Sequence, residues 1–457
     1  MELKKNTEWT LHITGVTQDG NGVGRADNTV VFTPGCVRGD VARIKIVGVR
    51  ARYAFGKLLQ VEQPSPARIP VDCPTFFQCG GCVFRHIQYA EELRIKEERV
   101  GDALRRIAKL DIVPEPIVGC EQTLGYRNKA QFPVGWQEGR PVFGFYAPRS
   151  HRIVPAENCL LQPPVFQQVL DAFGRWMLEN DVPAYDEQTG KGLLRHVFLR
   201  QAPATGELMI CVVANGGAGS LPNKKQLIQY CRQAAPQTRS IVFNRNTART
   251  NVILGARCET LWGDDHITDI LCGLRFSLSP LSFYQVNSRQ AERLYHMAAE
   301  FADLRSTDVL LDLYCGVGTI GLSMARQVGR LIGVEVVADA VTDAKYNAAQ
   351  NGITNAVFYC ADAGEAAARL QKEGLVPDVV VVDPPRKGLD VAAIDAIARM
   401  SPSRLVYISC NPETLVRDLA LFAEKGYQCT RVRPFDLFPR TAHVECVVLM
   451  SRVEKQE

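Results

Sequence analysis

Two periodicities of apolar residues divide the chain. Residues 8–62 alternate short apolar runs with Gly- and Asp-rich turns: WTLHITGV, QDGNGVGRADN, TVVFTPGCVRGD and VARIKIVGVRARYAFGKLLQV. Such runs between turn residues predict a small all-β unit, a five-stranded barrel of the OB type. EQPSPARIP at 62–70 has no period and reads as a linker. YAEELRIKEERVGDALRRIAKL at 89–110 repeats its apolar residues at helical spacing and predicts an amphipathic helix. Between 121 and 280 strands and helices mix without a repeat, with RHVFLRQ, ELMICVVAN, SIVFNRN and NVILGARCETLWG as strands. From about 283 onward helix and strand alternate, the pattern of a doubly wound parallel sheet.

Two late apolar runs end in reactive residues. VVVVDPPRKGL (379–389) and RLVYISCNPETLVRDL (404–419) read as buried parallel strands entering Pro-bounded turns. Ligands of open α/β sheets sit outside the carboxyl ends of the strands, so Asp383 and Cys410 face one crevice. DVLLDLYCGVGTIGLSMA (308–325) is a strand, a Gly-rich turn and a helix start, and Gly316, Gly318 and Gly321 match G-x-G-x-x-G. That loop alone suits NAD and S-adenosylmethionine equally. Its context favours the second. Asp312 precedes the turn, Glu335 ends the next strand, Asp362 follows the third and Asp383 the fourth. A methyltransferase explains all four stations; a dehydrogenase explains two.

Composition narrows the class further. At 457 residues with 46% apolar and 22% charged residues, the chain reads as a soluble globular enzyme of two to three domains. The N-terminus MELKKNTEWTLHI has no apolar core of a signal peptide, and no run reaches the ~18–20 apolar residues of a membrane span. A cytoplasmic protein without membrane contact is expected. Residues 1–70 carry ten Lys/Arg against six Asp/Glu, which places the whole net charge of +4 in the barrel. Nucleic-acid binders concentrate charge in this way. The fifteen cysteines are too dispersed in too long a chain for a disulfide framework, and Cys211 and Cys446 lie in apolar runs as core thiols. CPTFFQCGGC is different. It gives Cys73, Cys79 and Cys82, with Cys159 as a distant fourth, and four thiolates suit either a [4Fe–4S] cluster or a tetrahedral zinc ion.

LDLYCGVGTIGL, FYQVN (283–287), DPPRKGL, SCNPETLVRDL and TAHVEC (441–446) together resemble the RNA uracil-5 methyltransferases, which make 5-methyluridine in tRNA and 23S rRNA. The barrel and the cysteine cluster resemble the 23S rRNA branch. The resemblance implies an α/β chain in three parts. These are a TRAM OB-like RNA-binding barrel (1–63), a central α+β domain with an Fe–S site (70–280) and a class I S-adenosylmethionine-dependent catalytic domain (281–457). The helical region 91–121 is expected to pack with the catalytic domain. It further implies Cys410 as nucleophile, Glu445 as base, and cofactor contacts at Gln285, Tyr314, Thr319, Glu335, Asp362 and Asp383. Thr319 and Asp362 stand where some relatives carry Asn. A [4Fe–4S] cluster on Cys73, Cys79, Cys82 and Cys159 follows in the same way. The implied partner is RNA, 23S rRNA first and tRNA second, bound by a monomer.

The chemistry needs these residue types. Uracil C5 is a poor nucleophile, and a thiolate adding to C6 makes it electron-rich. A base must later remove the C5 proton so that the thiolate can leave. Asp383 would hold either the uracil N3–H or the amino end of the cofactor. A free thiol has a pKa near ~8.5, so Arg386 and Arg417 are candidates to lower that of Cys410, with phosphate binding as the alternative for either. Phe283 either stacks on an extruded base or belongs to the core. A DPPY-type amino methyltransferase would carry an aromatic where Arg386 stands. A non-catalytic Fe–S RNA-binding protein would not need Cys410 and Glu445.

Overall fold

The computed structural model describes residues 3–453. Its N-terminal sheet has six strands: β1 (Glu8–His12), β2 (Gly15–Val16), β3 (Asn21–Ala26), β4 (Thr29–Pro34), β5 (Val41–Val49) and β6 (Tyr53–Gln63). They run in the order β1-β5-β6-β4-β3-β2. A backbone bond from Thr14 N to Val23 O curls the sheet round onto β3. Leu11, Val31, Ala42, Ile44 and Ala54 fill its interior, one from every second position, as the period-two pattern requires. The expected five strands are six, because the turn after β1 forms a short strand of its own. The expected linker is tied down. Asp40 accepts from Ser65 N at 2.9 Å and pairs with Arg68, so the segment after β6 is held against the barrel.

Helix α1 (Tyr89–Arg106) ends four residues before the periodicity predicted, and residues 107–114 have no regular structure. A second sheet follows, of β7 (Lys129–Gln137), β8 (Arg140–Tyr146), β9 (Ile153–Pro155), β10 (Leu194–Gln201), β11 (Leu208–Ala214), β12 (Thr238–Arg245) and β13 (Arg257–Gly263). Helices α2 (Pro164–Glu179) and α3 (Lys224–Ala234) join its strands. Within NVILGARCETLWG only the second half is strand. Asn246 takes the carbonyls of Val252 and Ile253 with its side-chain amide, which holds that stretch as a loop. A hairpin, β14 (Ile267–Leu271) and β15 (Leu274–Leu278), leads to the third sheet.

That sheet is built from β16 (Val309–Leu313), β17 (Arg330–Glu335), β18 (Ala356–Cys360), β19 (Val379–Val382), β20 (Arg404–Ser409), β21 (Tyr427–Phe435) and β22 (Glu445–Arg452). Their order is β18-β17-β16-β19-β20-β22-β21. Only β22 is reversed, pairing antiparallel with both β20 and β21. Helices α4 (Ser288–Ala302), α5 (Thr319–Met324), α6 (Ala338–Gln350), α7 (Ala363–Lys372), α8 (Val391–Met400) and α9 (Pro412–Glu424) cover both faces. Two-sided coverage explains why β19 reads as four consecutive valines, all fully buried. The second and third sheets are not separate bodies. Phe198, Cys211 and Val213 of the second share one apolar core with Leu310 of the third and Leu294 of the covering helix α4.

Helix α1 and the stretch behind it belong with this third sheet by contact. Glu115 N donates to Val432 O at 2.8 Å and Val118 N to Pro434 O at 2.9 Å, so residues 115–118 run along β21.

Candidate active site

Cys410 follows the last residue of β20, and Glu445 is the first residue of β22. The antiparallel register pairs Ser409 with Cys446, so one more step sets Cys410 opposite Glu445. Asp383 follows β19, the neighbour of β20 on its other side. Three residues far apart in sequence thus meet at one end of the sheet. Asn411 caps α9, its side chain accepting from Glu413 N at 3.1 Å, with Pro412 at the first helical position. This fixes where Cys410 leaves the strand. The Asn411 amide also donates to Arg386 O at 3.1 Å and thereby ties the DPPRKG loop to the cysteine turn.

The crevice is acidic, with Glu445 buried and Asp383 and Cys410 half-buried. Burial raises the Asp383 carboxyl to about 7. Burial, and then the Asp383 charge, raise Glu445 to about 8 against the pull of Arg386. Burial first, then Glu445 and Asp383, push the Cys410 thiol up to about 11, again opposed by Arg386. Three acidic groups cannot all ionise side by side. At neutral pH Cys410 therefore rests as a thiol beside carboxyls that exchange protons readily. This reverses the lowered thiol pKa that the sequence predicts, because burial and the two carboxyls outweigh the single arginine. Arg417 contributes nothing here. Its guanidinium is held by Asp418 at 2.6 Å and by the carbonyls of Lys387 and Leu389 at 3.0 Å, which braces the loop behind the crevice.

His443 was missed as a separate contributor, although it sits in TAHVEC two residues before Glu445. Burial drives its imidazole down to about 4, so it is neutral, and Nε2 accepts from Arg386 at 3.1 Å. Arg386 is thereby held beside Cys410.

The Gly-rich turn forms the adjoining half of the site. Gly316 has φ +55°, and a Cβ there would meet nothing within 4 Å, so its outer face is open to a ligand. Gly316 N donates to Glu335 at 3.1 Å, and Val337 N to the other Glu335 oxygen at 2.9 Å. Tyr314 adopts φ +67°, a conformation rare for a residue with a side chain and recurrent at ligand sites. Asp312 is buried, accepts from Gly321 N at 2.8 Å, and leaves Oδ1 without a partner. Burial raises its carboxyl to about 8. Thr319 begins α5, with its hydroxyl 3.3 Å from that of Tyr295. Asp362 caps α7 by accepting from Gly364 N and Glu365 N, which is reason enough for a carboxylate there. Gln285 lies on a strap whose backbone is gripped by Asn128, while Asn287 reaches Leu437 O at 3.0 Å. Open space at Gly316, an orphaned carboxylate oxygen and a strained Tyr314 fit a ligand with ribose and amino groups.

Phe283 is 64% exposed, which removes the core reading and leaves a ring free to stack.

Cys73, Cys79, Cys82 and Cys159 line one cavity of about 470 Å³ with Phe76, Phe145 and Arg127. Among the described residues, only Cys272, Glu292 and His296 bring three metal-ligating atoms within 4.8 Å of one another. Four thiols around one cavity are a donor set that either a [4Fe–4S] cluster or a tetrahedral zinc ion would take.

The segment between β21 and β22 carries Glu445 and is fastened from a distance. Lys96 of α1 donates to Asp436 at 2.7 Å and to Glu92 at 2.8 Å, all three fully buried. Arg440 N donates to Glu92 at 2.7 Å, and Arg99 to Ala442 O at 3.0 Å. Val83 and Phe84, directly after Cys82, donate their backbone N–H groups to Arg440 O at 2.8 and 3.2 Å. The cysteine cavity and the loop bearing Glu445 are thus joined.

Comparison with known proteins agrees with this geometry. The family model described as tRNA (uracil-5-)-methyltransferase matches residues 272–453, and that of the TRAM domain residues 2–59. A Clostridium tetani protein named an uncharacterized RNA methyltransferase is 40% identical over 449 residues, 98% of this chain and 97% of its own. One of the same name from Bacillus cereus is 42% identical over 454 residues, 99% and 98% of the two chains. Among solved structures, the Pyrococcus abyssi tRNA (uracil-54, C5)-methyltransferase in complex with S-adenosyl-L-homocysteine superimposes with TM-score 0.78 at 25% identity. The match covers 96% of this chain and 99% of that one.

Proposed function

The chain belongs to the RNA uracil-5 methyltransferase family, whose reaction is S-adenosylmethionine-dependent methylation of RNA, and we propose that it methylates uridine C5 through a covalent bond between Cys410 and C6. The observation that carries this reading is Cys410 opposite Glu445 across β20 and β22, with Asp383 on the neighbouring strand. S-adenosylmethionine, held by Gln285, Tyr314, Thr319, Glu335, Asp362 and Asp383, supplies an electrophilic methyl group when bound. The protein's own residues do the rest. The Cys410 proton leaves through the carboxyl pair to solvent, so that Glu445 is ionised again before elimination, and the sulfur adds to C6, which leaves C5 nucleophilic. Once C5 is methylated, Glu445 removes its remaining proton and the C6–S bond breaks, returning the thiolate. A Glu445 carboxyl raised to about 8 accepts and releases a proton near neutral pH, as a base of this kind must. Asp383, also raised, can donate to a uracil carbonyl or accept from N3–H. Phe283 stacks on the extruded base.

The substrate we assign is 23S rRNA, on the combination of a basic N-terminal barrel with a four-cysteine cavity. A tRNA substrate is the second reading, favoured by the likeness to the Pyrococcus abyssi enzyme. The cavity is assigned a [4Fe–4S] cluster on Cys73, Cys79, Cys82 and Cys159. It has no electron to move in a methyl transfer and braces the RNA-facing loops. The three sheets with their helices correspond to three functional units: barrel, central domain and catalytic domain.

RNA carrying 5-fluorouridine at the target tests the mechanism. Fluorine cannot leave as a proton does, so wild-type protein should form a covalent complex that survives denaturing electrophoresis. Its absence, with ordinary RNA still methylated, would overturn the adduct. Mass spectrometry of nuclease fragments of rRNA and tRNA from a deletion strain decides the substrate by which fragment loses a methyl group.

A further inference from the structure

The hairpin β14–β15 turns on Cys272 and Gly273, between the paired residues Leu271 and Leu274. Both turn residues have positive φ, +51° and +72°. A two-residue turn of this kind takes Asn, Asp or Gly at its first position for backbone reasons. A cysteine satisfies none of them, and a strained residue kept in place points to a use for its side chain. The thiol meets helix α4. Glu292 and His296, one helical turn apart on the same face, each bring a ligand atom to it, and the three atoms lie within 4.8 Å of one another. Glu292 Oε1 accepts from Cys272 N at 2.9 Å, which orients the carboxylate against the turn. His296 is exposed, and its ring has no hydrogen-bond partner among the described residues.

We propose that Cys272, Glu292 and His296 bind one divalent transition-metal ion of the zinc type, with a water in the fourth position. Sulfur, nitrogen and oxygen at bond lengths of ~2.0–2.3 Å lie roughly 3.3–3.8 Å apart around a tetrahedral ion, a contraction that side-chain rotation supplies. A thiolate in the set disfavours magnesium and calcium. The ion clamps the hairpin to α4. That hairpin is the joint between the second and third sheets. Asp269 accepts from Ala204 N and from Tyr284 OH, each at 3.0 Å, and Ser277 N donates to Asn347 at 3.0 Å. Tyr284 precedes Gln285, so the clamp stiffens the strap that borders the cofactor site. It is separate in residues and donor set from the four-cysteine cavity.

The test is a titration of the full-length, anaerobically purified protein with cobalt(II) and with zinc. Wild type should show a thiolate-to-cobalt charge-transfer band and one zinc equivalent more than His296→Ala, whose substitution is at an exposed helix position. The variant should bind that equivalent about tenfold or more weakly. Cys272→Asn supplies a readout that packing alone would not give. Asn suits the turn, so the metal-free variant should melt at or above the wild-type temperature, while zinc no longer raises it. Metal in the all-cysteine cavity is common to the three proteins and cancels. Equal metal content and affinity in wild type and both variants would overturn the site. So would a Cys272→Asn protein that melts lower without metal and still responds fully to zinc.

Discussion

Cys410 and Cys82 are both half-buried thiols, and their surroundings differ. Cys410 stands alone among carboxyls, with Asp383 and Glu445 raising its pKa and Arg386 restraining the rise. Cys82 stands among three other thiols around an apolar cavity that Arg127 also lines. On the proposed reading, groups that take and return protons suit a transient nucleophile. A ring of thiols suits permanent metal ligands. The residue type is the same, and the chemistry is decided by the neighbours. The two are joined through the backbone, because Val83 and Phe84 donate to Arg440 O on the loop that leads to Glu445.

The contrast is broken most severely at Cys410. Cys410→Ala should lower methyl transfer by roughly 10⁴-fold or more, the scale of losing a covalent nucleophile. Binding of S-adenosylmethionine, metal content and melting temperature should stay as in wild type. Radiolabelled methyl incorporation and calorimetry measure these, and retained turnover would remove Cys410 from the reaction.

Glu445→Gln comes next, with a loss of roughly 10²–10⁴-fold in turnover. Its signature is a methylated RNA–protein complex that accumulates on unmodified uridine and disappears when Cys410→Ala is added. The same variant carries a stability effect. Glu445 has a folded pKa of about 8, above the ~4.3 of an unfolded Glu. The folded state therefore holds its proton more tightly, and this favourable contribution is complete below pH ~4.3 and lost as pH rises through about 8. An amide has no such loss. The melting temperature of Glu445→Gln should gain on wild type between pH 5 and pH 9; a constant difference would remove burial as the cause of the shift.

At the other thiol, Cys82→Ser should abolish the iron content of anaerobically purified protein and reduce turnover on folded RNA by roughly tenfold, in keeping with an outer-sphere support. A loss as large as that of Cys410→Ala, with RNA affinity unchanged, would merge the two sites into one.

The smallest effect is expected on the barrel. Lys45 and Lys57 are directly opposed across β5 and β6. Like charges so placed repel unless a polyanion lies over them. Replacing both with Ala should leave turnover at saturating RNA unchanged and flatten the log–log salt dependence of RNA binding by up to about two units. An unaltered slope would place the RNA elsewhere.

Much of the candidate site was legible in the sequence because it is built from strand ends. VVVVD and YISC each announce a buried run and then one reactive residue, while Glu445 opens the buried run CVVLM. The glycines of the cofactor turn were equally readable, since Gly316 and Gly318 take positive φ. What the sequence hid is long-range. The polar face of α1 reads as a solvated surface, yet Glu92 and Lys96 are fully buried because Asp436 and Arg440 meet them there. No periodicity marks a charge whose partner lies 340 residues away. Arg417 was assigned to the crevice for its closeness in sequence to Cys410, whereas Asp418 and the turn carbonyls claim it. Residues 62–70 lack periodicity because they are fastened singly by Asp40 rather than packed as an element.

The fastening of the 436–445 loop by α1 also has a consequence in time. The polypeptide leaves the ribosome from its N-terminus at ~5–20 residues per second, so roughly 17–70 s separate the synthesis of Lys96 from that of Asp436. The barrel precedes that interval, and the cofactor turn and the Cys410 strand are made within it, while Glu445 has neither been made nor anchored. The barrel is therefore complete well before Cys410 and Glu445 can face each other.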